Sequence, residues 1–241
     1  MMQWLLALQW EAIIQIIIID ILLGGDNAII IALACRNLPK HLRRRGIIWG
    51  AAGAIILRVV LISIAVALLG IPWLKLVGAA LLFWIGVKLM LPELDDDGTQ
   101  AQVDASHRFW TAVRTIIVAD FVMSLDNVIA IAAAAETADP SQRTGLIIFG
   151  LLFSVPFIIF GSQLVLKLLD RFPFIVTLGG ALLGWIAGGL MVTDPALRAV
   201  WPMEPSLGYL ASALGAVSVV SVAKVMGRSR RRAQLSAPHG T

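Results

Sequence analysis

The sequence predicts an all-α integral membrane protein of about seven transmembrane helices, built as two inverted three-helix repeats plus one extra C-terminal helix. Three observations predict this fold: the composition, the long apolar runs and an internal repeat. Hydrophobic residues make up 59% of the chain, charged residues 14%, and the mean hydropathy is +0.89. A soluble domain is usually about 45–50% apolar and about 25% charged. The excess of apolar side chains must therefore face lipid.

Apolar runs separated by polar breaks predict the individual spans. Each run is long enough to cross about 30 Å of hydrocarbon as a helix. The predicted spans cover residues 10–34, 46–69, 71–90, 110–135, 144–167, 173–192 and 207–226. The longest break, residues 92–108, is acidic and is interpreted as a solvated loop rather than a metal site. We expect one membrane domain over residues 1–226, followed by a basic cytoplasmic tail over residues 227–241.

The distribution of Lys and Arg predicts the orientation. If the N-terminus is outside, nearly all basic residues fall on the inner side, which is the usual bias of membrane proteins. We therefore expect an N-out, C-in, multi-pass protein of the cell (inner) membrane. Basic clusters beside apolar spans are typical of cytoplasmic helix ends, so no nucleic-acid partner is expected. No basic stretch precedes the first apolar run, and a cleaved signal peptide is not expected either.

The chain matches itself at an offset of 100 residues. Three segments align in register, the last with one inserted residue: 20–27 with 120–127, 47–50 with 147–150, and 78–85 with 179–186. The repeats cover about residues 10–90 and 110–192. Three crossings per repeat force the second copy to enter from the opposite side, so the halves are inverted. Secondary transporters built this way bind substrate near mid-depth, between the repeats. The seventh span lies outside the repeat, and we expect it to be peripheral.

Acidic residues inside the spans mark the candidate site. An ionised carboxylate near the bilayer centre costs several kcal/mol, so such residues are usually functional. Carboxylate and amide oxygens without thiolate or imidazole favour hard divalent ions such as Mg²⁺, Ca²⁺ or Mn²⁺. The candidate metal ligands are Asp20, Asp26, Asn27, Asp120, Asp126 and Asn127. The asparagines are also candidates for hydrogen bonds between helices.

Inversion restricts how these residues meet. If the first and fourth spans pack together, Asp20 shares a level with Asp126, and Asp26 shares the other level with Asp120. The sequence leaves open whether the result is two acidic tiers or one site between them.

Gating or charge balance is the role expected for the other polar or flexible positions in these spans, namely Arg58, Gly24, Gly25 and Ser124. Adjacent glycines permit either local unwinding or tight helix packing. The equivalent pair in the second repeat is Ser124-Leu125, so any break there should be milder. Ser154 and Pro156 mark a helix break in the fifth span.

Arg58 lies about midway through the second span, too deep to reach water easily. We expect it to pair with one of the aspartates. Functionally, it would hold the empty site together and be displaced by an arriving cation.

The motifs resemble those of the TerC family of integral membrane proteins. The resemblance rests on Asp20…Gly24-Gly25-Asp26-Asn27-Ala28 and Asp120…Ser124-Leu125-Asp126-Asn127-Val128, and it extends over roughly residues 10–226. TerC-like proteins are associated with manganese efflux and tellurium resistance. The resemblance implies that the six candidate ligands line an Mn²⁺ pathway.

The function expected is a secondary transporter that exports a divalent cation, with Mn²⁺ as the implied substrate and no resident cofactor. No nucleotide-binding motif appears, so energy would come from the membrane potential or a proton gradient. The alternative is a non-transporting scaffold in a metal-stress or tellurium-resistance complex. An enzyme is not expected, because the spans carry no His or Cys base–nucleophile pair. The expected partners are the bilayer and the metal ion, and a homo-oligomer is left open.

Overall fold

A computed structural model of the chain describes residues 10–69, 71–91, 101–135, 143–200 and 205–236, and these ranges contain helices and no strand. The all-α prediction is confirmed. The helices are α1 (Trp10–Leu23), α2 (Gly25–Cys35), α3 (Lys40–Leu69), α4 (Leu74–Met90), α5 (Ala101–Ala135), α6 (Arg143–Arg171), α7 (Phe174–Val192), α8 (Pro195–Val200) and α9 (Pro205–Ser236). Helices suit a bilayer because they satisfy every backbone polar group internally.

Four described helical segments are long and apolar enough to cross a membrane, and α1 with α2 forms a fifth if the bent pair is one span. The four are Lys40–Ile64, Gly145–Arg171, Phe174–Val192 and Leu207–Ser229. The third and fourth predicted spans correspond to α4, which has 17 residues, and to α5, which has 35 residues and begins with polar turns. The count of seven and the orientation remain predictions.

Three features of the helices differ from the sequence prediction. Helix α5 already begins at Ala101, so part of the predicted acidic loop is helical, while residues 92–100 lie outside the described ranges. Helix α6 runs without a break through Pro156, since proline is tolerated inside membrane helices, where neighbouring groups satisfy the freed backbone. Helix α9 continues to Ser236, so the basic tail begins as the last turns of this helix.

The chain forms two compact units, and each takes helices from both repeats. Unit 1 comprises residues 1–69 and 107–167, and unit 2 comprises residues 70–106 and 168–241. The first two spans of each repeat therefore belong to unit 1, whereas the third span of each repeat belongs to unit 2. The predicted repeats do not coincide with the units.

Unit 1 contains a reciprocal contact between the repeats. A Cβ added to Gly50 would meet Ile116, and a Cβ added to Gly150 would meet Ile16. Gly150 lies 100 positions after Gly50, and Ile16 lies 100 positions before Ile116. A two-fold axis between the repeats would turn the first contact into the second, as is observed. The surrounding core is formed by Ile13, Ile16, Ile55, Ile131, Leu146, Ile147 and Leu151.

Unit 2 contains α4, α7, α8 and α9. Helices α7 and α9 approach backbone to backbone, since a Cβ at Gly184 or Gly188 would meet the backbone at Gly215 or Ala211. Small residues allow such close packing in membranes. The opposite side of α9 is apolar and exposed, for example at Leu214, which is 67% exposed. The C-terminal helix is thus an integral part of unit 2. The sequence analysis had expected it to be peripheral.

Candidate acidic site in unit 1

The first predicted span is broken at its glycine pair. Gly24 is the residue before α2, with φ −95° and ψ −2°, and the two helical segments meet at 49°. A Cβ at Gly24 would collide with the backbone carbonyl of Asp20, so the bend requires glycine there. Helix α5 is continuous at Ser124-Leu125, which confirms the prediction of a milder local structure in the second repeat.

Arg58 on α3 joins the two repeats through their first aspartates. Its Nη1 donates to Asp20 Oδ1 on α1, and its Nη2 donates to Asp120 Oδ1 on α5 at 2.6 Å. All three side chains are buried, with exposed fractions of 3%, 1% and 5% for Arg58, Asp20 and Asp120. The sequence predicted one aspartate partner for Arg58, and the structure gives it two.

Two serines complete the hydrogen bonding of these carboxylates. Ser124 accepts from Arg58 Nε at 3.2 Å and donates to Asp120 Oδ2 at 3.1 Å. Ser154 on α6 donates to Asp20 Oδ2, and its oxygen also lies 2.8 Å from the carbonyl of Leu151. Both serines are fully buried. We call these five side chains, Arg58, Asp20, Asp120, Ser124 and Ser154, the Arg58 cluster.

The Arg58 cluster carries more negative than positive charge. Two carboxylates face one guanidinium, so the ionised cluster has a net charge of −1. A buried charge without a full counter-charge is unfavourable, and its protein partners and any bound ion decide whether it is tolerated. The excess of carboxylate favours binding of a cation.

Asp26 and Asn27 lie in the first turn of α2, beside the Arg58 cluster. Asp26 is half-buried, accepts the Asn27 backbone N–H at 2.8 Å, and interacts electrostatically with Arg58 and Asp120. The Asn27 side chain is 4% exposed, and within the described residues neither its Nδ2 nor its Oδ1 has a hydrogen-bond partner. Buried amides are nearly always bonded, so the Asn27 amide needs a partner beyond the described side chains, for which a bound ion or a water is suited.

The second repeat contributes less to the described site. Asn127 lies on α5 and is half-buried, whereas the side chain of Asp126 lies outside the described residues. Among the described residues no three His, Cys, Asp or Glu side chains stand close enough together to form a ready-made metal site. The six-residue ligand set therefore stays a prediction.

The Arg58 cluster decides against two separate acidic tiers at Asp20 and Asp120. The two-tier arrangement placed these residues at different depths, but one guanidinium binds both. The reason is the length and branching of the Arg58 side chain, which enters between α1 and α5 from α3. Asp20 and Asp120 therefore lie at one place, while the arrangement of the complete ligand set, with Asp126, stays a prediction.

A further buried carboxylate, which the sequence analysis did not single out, lies in unit 2. Asp194 follows α7 and is fully buried. It accepts backbone N–H groups of Trp73 and Lys75 at 3.1 Å, Leu76 at 3.3 Å and Ala196 at 2.9 Å. Burial alone would raise the pKa of Asp194, but the backbone donors lower it below its ordinary value. Asp194 thus caps the start of α4, where Trp73 adopts a left-handed conformation with φ 67°.

Comparison with known proteins identifies the family. The model of the integral membrane protein TerC family matches residues 6–234. This chain belongs to the TerC family. The resemblance drawn from the two Asp-Asn motifs is therefore confirmed, and the chain is an integral membrane protein.

The similar relatives are membrane proteins without an assigned activity. The uncharacterized membrane protein YjbE of Bacillus subtilis is 39% identical over 186 residues, which cover 77% of this TerC chain and 81% of YjbE. YceF of the same organism, also named an uncharacterized membrane protein, is 27% identical over 74% of this chain and 69% of YceF. The inner membrane protein YoaE of Escherichia coli is 23% identical over 91% of this chain and 43% of YoaE. No solved structure matches.

Sequence reasoning found most of the charged residues but not their connections. The motif located both aspartates of the Arg58 cluster, and the depth of Arg58 marked it as unusual. Ser154 was interpreted as part of a helix break and is instead a donor to Asp20. The available signal was its position: a buried serine in an apolar span needs an acceptor.

Proposed function

We propose that this protein is a secondary transporter of the inner membrane that exports a divalent metal cation, with Mn²⁺ as the substrate implied by its family. The observation that carries the proposal is the excess of buried carboxylate over guanidinium in the Arg58 cluster. Asp26, Asn27, Asp126 and Asn127 would add ligands to it. The protein would act without a resident cofactor and without enzymatic chemistry.

Charge counting supports a divalent rather than a monovalent cargo. The described aspartates of the motif, Asp20, Asp26 and Asp120, contribute −3 and Arg58 contributes +1. One divalent cation neutralises this sum of −2, and an ionised Asp126 would raise the excess to −3, which favours a divalent over a monovalent cargo still more. Buried ions are tolerated only when their charges are matched, so the fit favours a single M²⁺ ion.

The donor set favours a hard ion. Carboxylate oxygens and the buried Asn27 amide oxygen, which has no hydrogen-bond partner among the described residues, are the ligands that Mg²⁺, Ca²⁺ and Mn²⁺ accept. The half-helix start at Gly24-Gly25 places Asp26 and Asn27 at a break in a span, as in transporters whose discontinuous helices form ion sites. Mn²⁺ within this class rests on the family resemblance.

Arg58 would act as an internal substitute for the cargo. In the empty site it occupies one oxygen of Asp20 and one of Asp120. An arriving cation would compete with the guanidinium for these oxygens, and its departure would let Arg58 return. This exchange avoids leaving bare carboxylates in the bilayer at any stage, which would be costly.

Uptake of Mn²⁺ into inside-out vesicles tests the proposal. Wild type should accumulate Mn²⁺ above vesicles without the protein, and Asp26→Asn/Asp126→Asn should reduce uptake at least tenfold. Asp170→Asn, which changes an exposed carboxylate at the end of α6, serves as the matched control and should transport normally. Uptake that survives in the double variant, with normal protein levels, would contradict the proposal. Collapsing the proton gradient or the potential separately then identifies the energy source.

A non-transporting scaffold is the second candidate, and the Arg58 cluster also favours it. The cluster ties α1, α3, α5 and α6 together and would stabilise a purely structural unit. This role predicts no uptake of any divalent ion by wild type and full biological function in Asp26→Asn/Asp126→Asn. The two measurements together separate the candidates.

A further inference from the structure

The exposed face of α3 changes from cationic to aliphatic along its length. Its first two turns present the exposed basic side chains of His41 and Arg45 on this face. One turn later comes Trp49, which is 59% exposed. Farther along the same side lie Ile56 and Val60, which are 67% and 52% exposed. Lys40 and Arg44 are also exposed, but they lie roughly 140° to 180° around the helix from Trp49. Along this face the order is that of a phospholipid: headgroup, interface and acyl chain.

Helix length places the basic turns at headgroup depth. Residues 46–64 alone span about 28 Å at 1.5 Å per residue, close to the hydrocarbon thickness of about 30 Å. Residues 40–45 then extend about 9 Å beyond the hydrocarbon. Phosphate groups lie in this zone, and Trp residues favour its inner edge, where Trp49 stands.

The exposed cations differ from a neighbour that serves the fold. Arg43 turns inward, where its Nε donates to the Leu38 carbonyl at 3.0 Å and its Nη2 donates to the Arg36 carbonyl at 2.6 Å. These bonds hold the turn between α2 and α3. The sequence from Asn27 to Pro92 contains no Asp or Glu, so the exposed cations have no acidic partner along this stretch.

We propose that this face of α3 binds an anionic phospholipid, with the phosphodiester on Arg45, flanked by His41, and an acyl chain along Ile56 and Val60. Basic residues at a span end attract anionic lipids, and their long side chains reach the phosphates. An acidic protein would satisfy the cations but would leave the aliphatic continuation of the same face unused. The continuity of the two zones favours the lipid.

Quenching of Trp49 fluorescence tests the lipid. The full-length protein is reconstituted in phosphatidylcholine vesicles containing a minor fraction of brominated phosphatidylglycerol or, for comparison, brominated phosphatidylcholine. The signal of Trp49 is the difference between wild type and Trp49→Phe. Brominated phosphatidylglycerol should quench it at least about twofold more than brominated phosphatidylcholine, and added salt should reduce the preference. Equal quenching by both lipids would overturn the proposal. An acidic protein would then be the partner left for these cations.

Charge variants locate the effect. His41→Gln/Arg45→Gln should abolish the preference for phosphatidylglycerol. Lys224→Gln/Arg228→Gln removes exposed cations from α9 and should preserve it. A preference that persists in His41→Gln/Arg45→Gln would contradict the assignment. If that variant does not insert, the single change Arg45→Gln is compared with Arg228→Gln in the same assay.

Discussion

Ser154 donates a hydrogen bond to Asp20 across 134 residues of sequence, from the second repeat to the first. Asp20 is 1% exposed, and its other described partner is Arg58. A hydroxyl from one repeat and a guanidinium from α3 therefore share one carboxylate of the motif. This shared carboxylate links the repeats at the position where the proposed ion would bind.

Removing the Ser154 hydroxyl should destabilise unit 1. Ser154→Ala leaves one oxygen of a buried carboxylate without its donor, and such losses cost about 1–3 kcal/mol. The control is Ser162→Ala on the same helix, because Ser162 is equally buried but only donates to the Ile158 carbonyl at 2.7 Å. Thermal unfolding in detergent should show a clear fall in Tm for Ser154→Ala and a small one for Ser162→Ala. Equal Tm values for the two variants would show that Ser154 does not support Asp20.

An arginine at the symmetry-related position of the second repeat should partly replace Arg58. Arg58→Ile leaves two buried carboxylates unpaired and should cost about 3–5 kcal/mol of stability. Its counterpart 100 residues on is Ile158, which is 7% exposed. The inverted repeat predicts that Ile158→Arg approaches Asp20 and Asp120 from the related direction. The double variant Arg58→Ile/Ile158→Arg should recover part of the lost Tm.

The swap has a matched control in the same helix. Leu166 is 8% exposed, and Arg58→Ile/Leu166→Arg places the same charge at a buried position outside the symmetric register. This variant should be at least as unstable as Arg58→Ile alone. Rescue by both double variants would mean that any buried cation suffices and that symmetry plays no part.

The sequence predicted the helices and the repeat more fully than the side-chain contacts. A motif with charges at matched offsets is specific, and the reciprocal contacts of Gly50 with Ile116 and of Gly150 with Ile16 agree with it. The rotation of each helix about its own axis could not be predicted in the same way. Spans such as α6 are apolar on all sides, so periodicity does not show which face is buried. The donor role of Ser154 depends on that rotation and appears only in the structure.

Asp194 should stabilise unit 2 in a pH-dependent way. The backbone donors at the start of α4 hold its pKa below the ordinary value, so the stabilisation is fully present above the unfolded pKa of about 3.9. It is lost as the pH falls through the lower folded pKa. Asp194→Asn should therefore lower Tm at pH 7, and the difference from wild type should shrink below about pH 4. A difference that stays constant down to acid pH would show that charge on Asp194 contributes nothing.

Alanine should have different effects at the two glycines of the bend before α2. A Cβ at Gly24 would collide with the Asp20 carbonyl, whereas a Cβ at Gly25 would meet nothing within 4 Å. Gly24→Ala should shift the end of α1, displace Asp20 from Arg58 and reduce both Tm and Mn²⁺ uptake. Gly25→Ala should be neutral or slightly stabilising, because alanine favours a helix by about 1 kcal/mol over glycine.

The two alanine variants also separate an effect on stability from an effect on transport. If Gly25 serves only as a helix residue, Gly25→Ala retains Mn²⁺ uptake in inside-out vesicles. Loss of uptake in Gly25→Ala with an unchanged Tm would instead mean that the bend must move during transport, since the static structure accommodates the methyl group. Wild-type behaviour of Gly24→Ala in both measurements would contradict the role given to the bend in placing Asp20.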